Sequence, residues 1–138
     1  MLKPPYRPAV AGRMAFFFGP VAGAFVCIVT LRRTGYPLKA KRVLNWTLVG
    51  TAALALMLLL LPDLAGRVIG FAAEIAFYKI YLGLIEKEFD AWQSANPTVQ
   101  PLNGWRALGV SFAGSMIFVA ILVAEGYLLY LLFPKLAG

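Results

Sequence analysis

The stretch Val43–Leu61, VLNWTLVGTAALALMLLLL, decides what kind of protein this is: it is uncharged throughout, and Asn45, Thr47 and Thr51 are its only polar side chains. A bilayer core about 30 Å thick is crossed by about 20 apolar residues of helix, so the segment reads as a membrane span. Pro62-Asp63 ends it. The short turn predicted over Pro62–Gly66 returns the next helix antiparallel beside the second span.

Composition agrees with that reading. Of 138 residues, 61% are hydrophobic and 14% charged, whereas a soluble domain is about 45–50% apolar and about 25% charged. Too little polar surface remains to coat a globule in water. The single cysteine excludes a disulfide framework, and the lack of histidine removes the commonest metal ligand and nucleophile-activating base. The 13 Lys and Arg against 6 Asp and Glu give +7, a balance that in a soluble chain would point to nucleic acid. Here five of the basic residues, Arg32, Arg33, Lys39, Lys41 and Arg42, lie between two apolar segments. That is how a cytoplasmic loop reads under the positive-inside rule, so the expected partner is the lipid bilayer and not nucleic acid.

Upstream of that loop, Met14–Leu31 (MAFFFGPVAGAFVCIVTL) is an uncharged stretch of 18 residues and is predicted as the first span, kinked at Pro20. Met1–Arg13, rich in proline, reads as a tail. Thr30-Leu31-Arg32-Arg33 offers no small-x-small cleavage site, which argues against a secretory leader. Cys27 follows bulky residues and reads as a small buried hydrophobe.

Downstream, Val68–Ile85 (VIGFAAEIAFYKIYLGLI) is long enough to span but carries Glu74 and Lys79. Its large apolar side chains favour insertion by roughly 4 kcal/mol, and two mid-helix charges at about 2.5–3.5 kcal/mol each oppose it. Insertion therefore leans on stronger neighbours. A span extended to about Trp92 is expected, with an interfacial helix as the alternative. Asn96-Pro97, Pro101 and Asn103-Gly104 then break the chain before a last span over 107–133. The expected fold is one all-α integral membrane domain, an antiparallel bundle of four helices over 14–31, 43–61, 68–85 and 107–133, with both termini outside and the 32–42 loop cytoplasmic.

Phe17-Phe18-Gly19-Pro20, Gly23, Arg32-Arg33 with Gly35 and Ala40, Leu61-Pro62, and later Asn103-Gly104-Trp105-Arg106-Ala107-Leu108-Gly109 together resemble a loosely defined set of small bacterial inner-membrane proteins of four helices and unknown function. The resemblance implies an architecture and a bacterial inner-membrane location, and no activity. The tyrosines and acidic residues of the third helix stand outside it.

Ionisable residues inside apolar segments are functional candidates because lipid makes them costly. Here they are Glu74, Lys79 and Glu125. Tyr78 stacks one turn from Glu74, whereas Lys79 lies about 140° round the helix from it and forms no good intrahelical pair. Glu74 is expected to face other helices and to hydrogen-bond Tyr78 or Asn45; a proton or ion pathway is the sharper alternative, and interfacial placement of Lys79 and Glu125 the blander one. Gly19 and Gly23 with Ala15 and Cys27, Gly66 with Gly70, and Gly109 are small-residue ladders suited to close helix packing or to a homo-oligomer seam. In the connector, Glu88, Asp90, Trp92 and Trp105 are candidates for contact with a membrane-protein partner, because Trp and charged groups leave the membrane together there. Trp92 and Trp105 read equally as markers of headgroup level.

The sequence holds no phosphate-cradling loop, metal cluster or nucleophile elbow, so neither catalysis nor a cofactor is expected. The chain reads as a non-enzymatic accessory or structural membrane component using the 86–106 connector. The alternatives are a small transporter, channel or membrane-perturbing effector using Glu74, and a subunit of an enzyme acting on lipid.

Overall fold

The computed structural model describes residues 3–136. Its helices are α1 (Pro8–Phe18), α2 (Pro20–Arg33), α3 (Pro37–Leu60), α4 (Asp63–Ala95) and α5 (Ala107–Leu132), with short 3-10 turns at Gly104–Arg106 and Pro134–Leu136. Three helical stretches are long and apolar enough to cross a membrane: Pro37–Leu60, Asp63–Ala95 and Gly104–Leu132.

The segment expected as a first span is instead a hairpin. Gly19 takes φ 93° and ψ 174°, which glycine alone adopts without steric cost, and turns the chain back. Pro20 then opens α2, where its missing N–H forfeits no hydrogen bond and its fixed φ suits a first helical turn. The proline therefore starts a helix; it does not kink one. With 11 and 14 residues, α1 and α2 are about 16 and 21 Å long at about 1.5 Å per residue, too short to cross a core of about 30 Å.

The two arms run antiparallel. Ala15 of α1 faces Gly23 of α2 so closely that a Cβ on Gly23 would lie 2.5 Å from that of Ala15. At the open end Thr30 Oγ1 donates to the Tyr6 carbonyl at 3.4 Å, and Arg33 Nη1 donates to the Pro4 carbonyl at 2.8 Å. The N-terminal stretch expected as a tail is thus structured: Pro5 and Tyr6 are buried, and Pro8–Arg13 is helical. The chain is three long helices around this hairpin, and not an antiparallel bundle of four.

Burial shows which element is the core. Ten of the fourteen residues of α2 are buried, against three of the 33 in α4 and three of the 26 in α5. Helix α2 packs on each of the other four, while α3, α4 and α5 turn large apolar side chains such as Val49, Phe71, Phe112 and Leu128 outward. Apolar outside and tightly packed inside is the pattern of helices solvated by lipid.

Helix α3 begins at Pro37, so Lys39, Lys41 and Arg42 belong to its first turns, and the expected basic loop shrinks to Thr34–Tyr36. Helices α3 and α4 are joined by Leu61-Pro62 alone and run antiparallel: Leu58 lies beside Gly66 and Gly70 near the turn, and Lys39 pairs with Glu88 at the other end. Helix α5 runs parallel to α3. Its Gly114 packs on Ala22, its Phe118 on the Gly19 turn, and its Gly126 lies near Leu59. The N-terminal segment, the α2–α3 turn and the α4–α5 connector therefore lie at one end of the molecule, and the α3–α4 turn and the close of α5 at the other. The N-terminal segment, as described from residue 3, sits with the basic turn and not opposite it.

Candidate functional site

The end that gathers these segments is ordered by a few specific bonds. Tyr6 and Leu102 form an isolated parallel bridge, with Leu102 N–H donating to the Pro5 carbonyl at 2.9 Å. Arg33 also lies over the Tyr6 ring, 5.6 Å from its centre. Proline at position 5 has no N–H to give, but its carbonyl remains, and the extended backbone beside it can pair with a second strand-like segment. The C-terminus of α4 is closed by its own side chains: Asn96 Nδ2 donates to the Trp92 carbonyl at 2.9 Å, and Gln93 Nε2 reaches the Asn96 carbonyl at 3.3 Å. The connector is tied to the N-terminal segment at Leu102.

Charge concentrates at the same end. Lys3, Arg7, Arg32, Arg33, Lys39, Lys41, Arg42, Lys87 and Arg106 lie there, nine cations, against Arg67 and Lys135 at the opposite end. Glu88, in the charged turn that extends α4 beyond Ile85, forms an ion pair with Lys39. Burial alone would raise the Glu88 carboxyl. The hydrogen bond from Lys39, a backbone hydrogen bond and the charges of Lys39 and Lys87 outweigh that and hold it below its ordinary value near 4.5. Glu88 is thereby spent on fastening α4 to α3. Asp90 is exposed and its carbonyl accepts from Ser94 Oγ at 2.8 Å; Trp92 is half-buried, its ring 6.1 Å from that of Phe89. Trp105 is 79% exposed on the 3-10 turn that opens α5.

The polar residues within the apolar segments differ in burial. Glu74 is half-buried, and the hydrogen bonds among the described residues do not join it to Tyr78 or Asn45; Asn45 is exposed. Lys79 is exposed. Glu125 is half-buried, with Oε2 enclosed and unpaired among the described residues. Tyr78 packs against α1, where a Cβ on Gly12 would lie 3.0 Å from its ring. Within the apolar segments, α3 and α4 are linked by Thr47 and Tyr81, Oγ1 to OH at 3.1 Å. Cys27 Sγ donates to the Tyr81 carbonyl at 3.6 Å, and Phe77 stacks on its ring at 5.7 Å. Tyr81 shares one antiparallel register with Thr47 that Glu88 shares with Lys39, and that register was the available signal.

The small residues also divide. Gly23 sits where no side chain fits, and Gly114 lies so close to α2 that its Cβ would be 2.7 Å from Ala22 Cα. Gly66 and Gly70 make ordinary contact with Leu58. Gly109 faces open space: a Cβ there would meet nothing within 4 Å, so it packs no helix. Comparison with family models, curated proteins and solved structures finds no match.

Proposed function

We propose that this chain is a non-enzymatic integral membrane component, accessory or structural, that docks a membrane-protein partner on its basic end through the connector between α4 and α5. The observation that carries the proposal is the bridge between Tyr6 and Leu102. It holds the connector rigid and leaves Trp105 exposed beside it, and a large aromatic presented on ordered backbone loses little entropy on binding. Asp90, exposed, and Trp92, half-buried, lie on the last turns of α4, which lead into the same connector. The charge asymmetry favours a cytoplasmic position for this end, and the resemblance to small bacterial inner-membrane proteins supports a bacterial inner membrane.

Co-purification from mild detergent tests the proposal. Trp105→Ala combined with Asp90→Ala is expected to lose the co-purifying partner while the chain still inserts and stays monodisperse. Full retention of the partner in that variant, together with loss of phenotype in Glu74→Gln alone, would replace docking by transport.

A further inference from the structure

Along the outer side of α1 two depressions meet at one residue. The first is a cleft of about 610 Å³ between α1 and the connector, bordered by Arg7, Arg13 and Arg106 with the amides of Gln100 and Asn103. The second is an apolar pocket of about 290 Å³ lined by Phe16, Phe17, Ile75 and Tyr78, and Arg13 borders it too. All three arginines are exposed, and no ion pair among the described residues engages them. Arg7 alone also borders a neighbouring cleft that contains Glu86 and Asp90.

We propose that this pair of depressions is a binding site for one anionic phospholipid, its phosphate held by Arg13 and Arg106 with Arg7 beside them, and an acyl chain laid over Phe16, Phe17 and Ile75. Guanidinium groups suit a phosphate because their fixed donors pair with two oxygens at once. The position of Arg13 supports the choice of a lipid. It follows Gly12, which packs on Tyr78 within the apolar part of α4, and it borders both the arginine-lined cleft and the apolar pocket, as suits a side chain that reaches from an apolar level to a charged one. A charged site stacked directly above an apolar one, on the lipid-facing side of a helix, has the order of a phospholipid's own parts. A partner's apolar helix would fill the lower pocket and leave Arg13 without a counter-charge; a soluble phosphate would fill only the upper cleft. The site shares the connector with the docking proposal but uses Gln100, Asn103 and Arg106 there and not Trp105 or Asp90, so different variants test the two.

Native mass spectrometry of the delipidated full chain, offered equal amounts of phosphatidylglycerol and phosphatidylcholine with the same chains, tests it. One phosphatidylglycerol is expected to be retained in preference. Arg13→Gln with Arg106→Gln should lower that retention by about tenfold and lower phosphatidylcholine, whose phosphate is offset by its choline cation, by less, while Arg67→Gln with Lys135→Gln leaves both unchanged. Circular dichroism of each variant verifies that the helices persist, and the single Arg106→Gln, outside the hairpin, should show the same trend if the double variant unfolds. Equal retention of the two lipids, an equal loss from the variant at the opposite end, displacement by free glycerol phosphate at equal concentration, or a protein dimer that excludes lipid would each overturn the proposal.

Discussion

At Gly19 one backbone conformation sets the course of the first third of the chain. Its φ of 93° with ψ of 174° lies where any Cβ is strained, so Gly19→Ala is expected to lower stability in detergent by about 1–3 kcal/mol, read as a drop in the thermal midpoint. Gly23→Ala should cost a similar amount for a different reason, overpacking against Ala15 and Tyr81, roughly 1–3 kcal/mol. Gly50, with nothing near it and an exposed helical position, is the control: Gly50→Ala should be neutral or stabilising by up to about 1 kcal/mol. Glu88 carries a pH dependence. Because the folded state lowers its pKa, its contribution is complete above the ordinary carboxyl value and fades as pH falls through the depressed one. Glu88→Gln should therefore cost about 0.5–1 kcal/mol near neutral pH, a small figure because Lys39 remains partly solvated, and its penalty should shrink progressively as the pH falls below the ordinary carboxyl value.

The difference between a kinked span and a hairpin is read at the level of the element. Val43–Leu61 and Ala107–Phe133 were legible because length and lack of charge are local properties of a span. Met14–Leu31 satisfied the same test, and the length rule alone cannot separate one helix of 18 residues from the inner arms of two. The distinguishing features were present: Gly19-Pro20 at the centre, with Ala15 four residues before and Gly23 four after. Those spacings look like a ladder on a straight helix and become facing contacts once the chain turns. The buried Tyr81 was hidden because it pairs across 34 residues, and no periodicity within α4 marks it. The hairpin makes a prediction of sidedness. Lys3→Cys and Lys135→Cys, each in a Cys27→Ser background, should react with a membrane-impermeant maleimide from opposite sides; labelling from the same side would restore the first span.

Over the whole molecule, the hairpin turns a thin charge asymmetry into a strong one. A tail on the far side would place its basic residues against those of the α2–α3 turn; with Lys3 and Arg7 on the near side, nine cations oppose Arg67 and Lys135. Adding three lysines after Pro134 should therefore be tolerated with orientation retained, as read by a reporter fused at the C-terminus. The enclosure of α2 has one further consequence, for biogenesis. The ribosome releases α1 and α2 first, yet α2, with ten of its fourteen residues buried, packs not only on α1 but also on α3, α4 and α5, all synthesised after it. Too short to cross and unenclosed at that moment, the hairpin has no finished berth until α5 emerges. Nascent chains stalled before Ala107 should leave it open to protease from the side of synthesis, and chains stalled beyond Gly138 should not.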